Sequence, residues 1–257
     1  MQTRLSKVPR RRSDRVLRPL RWATVGLLAV GAIGIVAVWR YRSTAYHLAR
    51  LSWDRWTLPR APQDIPSSAC PGAPWRLPTS GVLGVLWRDS RVPPYGPDHL
   101  HTGLDIFGQG RECTVPVYAV ADGLLTRLPG WKSAVVIRHD DPLRPGEVVW
   151  SYYSHMAAAG GKSYIAAGFP PGSSRVPVRA GELLGYQGVW SGHPLKPGWM
   201  HLHFSVTRAA SDGSFANETI LSNTLDPSPY LGIVGDAESG IPNWQPIRCQ
   251  AGEPDDS

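Results

Sequence analysis

The stretch His201-Leu202-His203-Phe204-Ser205-Val206-Thr207 alternates polar and apolar residues, which is typical of a half-buried β-strand. Because successive strand residues point to opposite faces, His201 and His203 project together on one side of a sheet. Four more β-rich runs are bounded by turn residues: Pro116–Arg127 with a tight turn at Asp122-Gly123, Ala134–His139, Glu147–Met156 and Glu182–Tyr186. No stretch after residue 60 has a sustained helical repeat. The sequence therefore predicts an all-β domain of sheets packed face to face.

A second motif, His101-Thr102-Gly103-Leu104-Asp105, supplies an imidazole and a carboxylate four residues apart. His101, Asp105 and His203 together make a three-ligand zinc set, which leaves a fourth tetrahedral position for water and is typical of a catalytic zinc. Such an ion lowers the pKa of its water toward about 7 and polarises a substrate carbonyl. Gly103 is expected to give room for a bulge and to let the metal approach the backbone.

The remaining histidines divide into proton carriers and bystanders. No H-E-x-x-H motif is present, so proton transfer falls to the histidines beside the ligand set, His155 and His201. His99 forms a second His-x-His with His101, but the glycine and aspartate spacing favours His101 as the ligand. We interpret His99 as a groove-edge or solvated residue. The two histidines interpreted as loop or strand-surface residues are His139 and His193.

Charge is divided unevenly along the chain. Residues 1–60 hold 13 Lys and Arg against Asp14 and Asp54, a net +11 within the overall +7, so residues 61–257 sum to −4. A mildly acidic folded part gives no support for nucleic-acid binding, which needs a basic face. The basic residues 1–21 instead precede 18 uncharged residues, 22–39, which as a helix span roughly 27 Å and just cross a hydrocarbon core.

This charge imbalance predicts a single-pass anchor with a cytoplasmic N-terminus and an exported C-terminal domain. A cleaved signal peptide is the alternative, but the apolar run is long and Trp39-Arg40-Tyr41-Arg42 is a poor cleavage context. Prolines predict an extended stalk over residues 40–79, before a folded domain at 80–232 and a tail at 233–257. An oxidising compartment favours one disulfide, whose pairing the sequence leaves open, with a slight preference for Cys70 with Cys249 over pairs with Cys113.

The motifs closely resemble those of the lysostaphin/LytM family of zinc metallopeptidases, which cut peptide bridges in bacterial peptidoglycan. The matching stretches, within roughly residues 80–232, are His101–Ile106, Pro116–Gly123, Tyr153–Met156, Val178–Gly185, His201–Phe204 and Leu225–Leu231. The resemblance implies an antiparallel β-sheet core of the barrel-sandwich hybrid (duplicated hybrid motif) type with a groove across it. By the same resemblance His101, Asp105 and His203 bind one zinc ion, while His155 and His201 orient or deprotonate the water and stabilise the oxyanion.

The function implied is that of a membrane-anchored zinc metalloendopeptidase acting on peptidoglycan peptides outside the cytoplasm of a bacterial cell. The alternative is a catalytically silent relative that activates other wall hydrolases or scaffolds an envelope complex. Such relatives usually lack part of the metal set, whereas all five residues are present here.

Two loops depart from the family pattern. Gly188–Met200 replaces a short glycine-rich loop before His-Leu-His, and the segment between His155 and Val178 is longer than expected. Both loops are expected to border the groove, so the bond that is cut does not follow from the resemblance. The aromatic residues that are candidates for either substrate contact or packing are Tyr95, Trp190 and Trp199.

Overall fold

The structure is a computed structural model that describes residues 69–194, 196 and 198–250. The predicted N-terminus 1–21, the predicted membrane helix 22–39 and most of the predicted stalk lie outside the described residues. Within the described ranges no helix is both long enough and apolar enough to cross a membrane.

Short strands account for nearly all regular structure in the described part of the chain. They are β1 (Val82–Val85), β2 (Leu104–Phe107), β3 (Pro116–Tyr118), β4 (Gly123–Thr126), β5 (Val135–Asp140), β6 (Val148–Ser154), β7 (Val176–Val178), β8 (Leu183–Tyr186), β9 (Leu202–Arg208), β10 (Thr224–Leu225) and β11 (Gln245–Pro246). A single-turn helix, α1, covers Ser228–Leu231, and a 3-10 turn covers Leu221–Asn223. The all-β prediction is confirmed.

One large sheet places three strands of the predicted motifs side by side. Its order is β11-β1-β2-β9-β6-β5-β4-β7, with β10 also paired to β9, while β3 and β8 form a separate pair. All pairings between these strands are antiparallel. Each of the five predicted runs overlaps a strand to within one residue at its C-terminal end or contains it, and the run Pro116–Arg127 contains two, β3 and β4.

Alternation along β2 and β9 divides the sheet into a core face and a site face. Leu202 and Phe204 of β9 pack with Ile106 of β2 in the core, and all three are fully buried. Truncating such a side chain to Ala costs about 2–5 kcal/mol. A register slip of one residue would exchange the faces, so this packing also fixes Asp105 and His203 on the opposite face.

The packed unit extends beyond residues 80–232 on both sides. Cys70 forms a disulfide with Cys249, and β11 pairs with β1. Trp75, which lies in the proline-rich stretch, is buried with its ring 4.6 Å from that of Tyr230. Closing a loop of 179 residues stabilises the fold by about 5 kcal/mol in chain-entropy terms. The prolines indicated a spacer, but the burial of the tryptophan and the disulfide make these flanks part of the β unit.

Candidate metal centre

Three neighbouring strands build the candidate site on one face of the sheet. Asp105 on β2 lies opposite His203 on β9, although the two are 98 positions apart in the chain. His203 in turn lies opposite Ser154 at the end of β6, so His155 follows directly beside it. His101 precedes β2, and backbone hydrogen bonds to its N–H and its carbonyl hold it at the same edge.

The side chains of His101, Asp105 and His203 converge on one point. Nε2 of His101 lies 3.0 Å from Nδ1 of His203. Oδ1 of Asp105 lies 3.1 Å from the first nitrogen and 2.9 Å from the second. The exposed fractions of these residues are 0%, 6% and 6% in chain order, so bulk water does not screen the cluster. The three donor atoms are close enough together to hold a metal ion.

The outer hydrogen bonds decide which ring nitrogens carry lone pairs. Nδ1–H of His101 donates to the Leu86 carbonyl at 3.0 Å, which leaves Nε2 as an acceptor. Nε2–H of His203 donates to the Ser205 hydroxyl at 2.8 Å, which leaves Nδ1 as an acceptor. When both rings are neutral, two lone pairs and a carboxylate oxygen therefore face one another. Tetrahedral zinc with bonds of about 2.0–2.2 Å places its ligand atoms about 3.3 Å apart, so this donor set fits zinc.

The charges in the cluster oppose the effect of burial. Burial disfavours the carboxylate, but the neighbouring His101 and His201, with a hydrogen bond from His203, hold the pKa of Asp105 well below its usual range. Burial also disfavours the imidazolium, but Asp105 and Glu218 raise the pKa of His203 to about 10. A cation entering the cluster therefore competes with a proton on Nδ1 of His203, and its affinity falls as the pH falls.

His155 and His201 lie beside the cluster, with ring centroids 4.3 Å apart. Nδ1–H of His155 donates to the Trp190 carbonyl at 2.5 Å, and Nδ1–H of His201 donates to the Trp199 carbonyl at 2.7 Å. Both carbonyls belong to the loop 188–200 that departs from the family pattern. The loop thus leaves Nε2 of each ring as an acceptor, and Nε2 of His201 is 3.6 Å from Oδ1 of Asp105.

These two histidines are neutral near pH 7. Burial, with the neighbouring His201 and His203, lowers the pKa of His155 to about 3. Burial also lowers the pKa of His201, against the opposing effect of Asp105. Both rings therefore present an unprotonated Nε2 near pH 7, which a general base requires, and the pKa of about 3 makes His155 a weak base of the type whose proton affinity a nearby charge must raise.

A groove of about 480 Å³ runs past the cluster and includes His155 and His203 in its wall. Of the described residues that line it, Lys132 is the one lysine or arginine and Glu218 the one aspartate or glutamate. Nζ of Lys132 lies 4.9 Å from the centroid of the Trp190 ring, in a cation–π contact. The aromatic residues of the wall are Tyr95, Trp131, Tyr152 and Trp190.

The structure brings together all five residues that the sequence singled out, and it corrects one other interpretation. His99 is exposed at the groove edge, stacked on Tyr95, as the sequence indicated. His139 was interpreted as a loop or strand-surface residue, which is wrong, because it is only 3% exposed. Gly103, just before β2, is needed because a Cβ there would overlap the Phe204 carbonyl of β9.

Sequence reasoning missed Glu218. Its Oε2 accepts a hydrogen bond from Thr102 at 3.0 Å and lies 3.4 Å from Nε2 of His203. It belongs to the connection between β9 and β10 and stands outside every motif, so no spacing in the sequence marks it. The fold and site together define an all-β protein with a buried cluster of two histidines and one aspartate that could hold a cation beside a groove.

No protein-family model matches the sequence, and no curated protein matches it. Among solved structures the chain is similar to Csd3 from Helicobacter pylori in two crystal forms. The orthorhombic form has 19% sequence identity and a TM-score of 0.38, over 66% of this chain and 38% of that chain. The hexagonal form has 18% sequence identity and a TM-score of 0.36, over 62% of this chain and 33% of that chain. The chain therefore spans well under half the length of Csd3. A complex of SpoIIIAH and SpoIIQ matches with 13% identity and a TM-score of 0.36 over 60% of this chain and 96% of that chain.

Proposed function

We propose that this chain is a zinc metalloendopeptidase of the lysostaphin/LytM type that hydrolyses peptide cross-links of bacterial peptidoglycan. One observation carries the proposal: the electron pairs of His101, Asp105 and His203 meet within 3.1 Å, next to two neutral histidines and a groove. A zinc ion held there would supply Lewis-acid polarisation of the scissile carbonyl. Anchoring of the domain outside the cytoplasm by residues 22–39 is part of the same proposal.

His155 and His201 supply the proton transfers that hydrolysis of a peptide bond requires. A base takes a proton from the attacking water, the C–N bond breaks, and an acid returns a proton to the leaving amine. Each ring offers an unprotonated Nε2, because each Nδ1–H is engaged by a loop carbonyl. The stacking of Phe107 on His201, with centroids 4.8 Å apart, restricts that ring to one orientation.

Lys132 favours a substrate that carries a carboxylate near the cleaved bond. Its side chain lies against Gly161, where an added Cβ would be 2.9 Å from Lys132 Cδ, and against the Trp190 ring. It makes no ion pair with a carboxylate of the described residues, so its charge is available to a ligand. Since Trp190 also accepts the hydrogen bond of His155, the lysine is held close to a proposed proton carrier. A peptide stem with a free carboxylate therefore fits this groove better than an uncharged oligoglycine bridge.

The decisive experiment measures metal content and hydrolysis in the same preparation. The full chain, purified in detergent, is expected to hold about one zinc per chain and to release muropeptides from cross-linked peptidoglycan, as followed by mass spectrometry. Chelation should abolish the release and zinc should restore it. If the chain holds zinc without hydrolysing peptidoglycan of either bridge type, the catalytically silent alternative stands. If it binds no zinc, the metal site itself is refuted.

A further inference from the structure

Glu218 lies where the chain folds back over the site face of β9. The connection from Arg208 to Thr224 carries it there, and its side chain is 13% exposed. Oε2 accepts from the Thr102 hydroxyl at 3.0 Å and from the Ser205 hydroxyl at 3.5 Å. Thr102 follows one proposed ligand directly, and Ser205 stands two residues after the other. A single carboxylate oxygen therefore contacts residues next to both histidine ligands.

The hydrogen atoms in this network have one consistent order. Nε2–H of His203 donates to Ser205, and the Ser205 hydroxyl in turn donates to Glu218. Thr102 donates to the same oxygen. An ionised carboxylate only accepts hydrogen bonds, so Glu218 receives the hydrogens of both Thr102 and Ser205. Because the Ser205 hydrogen points to Glu218, the Ser205 oxygen is free to accept from His203. This order leaves Nδ1 of His203, and not Nε2, as the nitrogen that faces Asp105.

The loop around Glu218 is built to hold it in place. The Asn217 side-chain carbonyl accepts from the Thr219 backbone N–H at 3.1 Å and from its hydroxyl at 2.9 Å. The Asn217 backbone carbonyl accepts from the Asn223 side chain at 2.9 Å. Both neighbours of Glu218 are thus tied down.

We propose that Glu218 is a positioning residue for the metal centre, which acts through Ser205 to fix the orientation and tautomer of His203 and so raises the affinity for the cation. The inference rests on the proposed metal site and adds a residue to it. Histidine ligands generally owe their orientation to an outer carboxylate or carbonyl, whose loss weakens metal binding by about 10–100-fold. Here the carboxylate comes from a loop that no motif marks.

The test is the zinc affinity of Glu218→Gln in the full chain, measured by competition with a chromogenic chelator. Glutamine keeps the size of the side chain but removes its charge. We expect zinc to bind about 10–100-fold more weakly. Thr102→Val, which removes only one donor to the carboxylate, should give a smaller loss in the same direction. Asp212→Asn is the matched control, because this exposed carboxylate of the same loop only accepts from Ser214 and should leave the affinity unchanged.

Two further readouts separate positioning from other roles. Side-chain ¹⁵N spectra of the zinc-loaded protein should show the proton of His203 on Nε2 in the wild type and a weakened or shifted signal in Glu218→Gln. Unchanged zinc affinity together with a raised KM would make Glu218 a substrate contact and overturn the inference. If Glu218→Gln does not fold, Thr102→Val and Ser205→Ala carry the test, and wild-type affinity in both would refute it. Failure of the wild type to bind zinc would refute the metal site instead.

Discussion

The two faces of the sheet each bury a histidine, and the two sites are organised in opposite ways. On the core face, Nδ1–H of His139 donates to the Asp122 carbonyl at 2.8 Å, and its Nε2 accepts from Ser151 at 2.8 Å. The Ser151 and Tyr153 hydroxyls are hydrogen-bonded to each other at 3.1 Å, and the Tyr153 oxygen accepts from the Val120 N–H. The side chains of this group are therefore hydrogen-bonded to one another and to the backbone, so we call this site closed.

On the site face the hydrogen bonds point outward and the acceptors point inward. Nε2 of His101, Nδ1 of His203 and Oδ1 of Asp105 meet there, and an entering cation displaces the hydrogen that His203 holds on Nδ1 toward Asp105. The charges differ accordingly. Burial lowers the pKa of His139 to about 4, whereas Asp105 and Glu218 raise the pKa of His203 to about 10. The comparison teaches that burial alone does not distinguish a structural histidine from a ligand; the direction of its hydrogen bonds does.

The largest effect, on zinc content and hydrolysis, is expected from removing Asp105 from the site-face cluster. Asp105→Ala removes the one negative charge among the three donors, so zinc should fall from about one per chain to nearly none and hydrolysis should stop. Metal analysis after dialysis checks this. His139→Gln, in the closed site, should keep the zinc, and loss of metal from both variants would break the contrast between the faces.

A smaller effect is expected from a histidine outside the ligand set. His201→Ala should retain zinc and lose about 10²–10⁴-fold in kcat, because it removes a proton carrier and not a ligand. Zinc content and turnover are measured on the same sample. Equal metal loss in His201→Ala and Asp105→Ala would show that our division between ligand and proton carrier is wrong.

The burial of His139 in the closed site should make the stability of the fold depend on pH. The pKa of His139 falls from about 6.5 in the unfolded chain to about 4 in the folded protein, so the unfolded state binds the extra proton between these values. The contribution of neutral His139 to the free energy of unfolding is therefore complete above about pH 6.5. It is lost as the pH falls toward 4, by about 3 kcal/mol in total.

Urea unfolding of the chelated protein at about pH 7.5 and about pH 4.5 measures this loss. The wild type should lose more stability between the two values than His139→Gln does. Identical losses would mean that the histidine titrates normally and that the hydrogen-bond chain is not closed.

The smallest effect is expected at the groove beside the open cluster. Lys132→Glu should raise KM about tenfold for peptides that carry a carboxylate near the cleaved bond, because an attractive charge becomes a repulsive one. KM for an oligoglycine bridge should change much less, and zinc content should not change. An equal rise for both substrates would assign Lys132 to the shape of the groove and not to its charge.

Pattern reasoning worked where one property repeats along a single strand. The alternation from His201 to Thr207 predicted β9. On β5, His139 stands two residues after the buried Ile137 and so lies on the same, buried face of the strand, which the sequence pattern also indicates. The strands that went unpredicted are β1, β2, β7, β10 and β11. These have two to four residues, too few for an alternating pattern to stand out.

At the flanks the slight preference for pairing Cys70 with Cys249 is confirmed, but local composition did not indicate how much of the flanks is buried. Prolines near Trp75 indicated an extended spacer, but local composition does not reveal that a distant tyrosine on α1 covers this tryptophan. The pairing of Cys70 with Cys249 likewise depends on strands that bring both ends of the unit together. Local preference describes a segment, whereas burial depends on what packs against it.

The amino-acid sequence by itself determined the fold class and the five histidine and aspartate side chains of the candidate site, because strand periodicity and short motifs are local properties. Only the tertiary structure decided the tautomers of these histidines, the place of Glu218 and the closed chain around His139. Those features depend on carbonyls, hydroxyls and carboxylates that come from other strands and loops. Their positions follow from the antiparallel register and the packing of the core, neither of which any one stretch of sequence encodes.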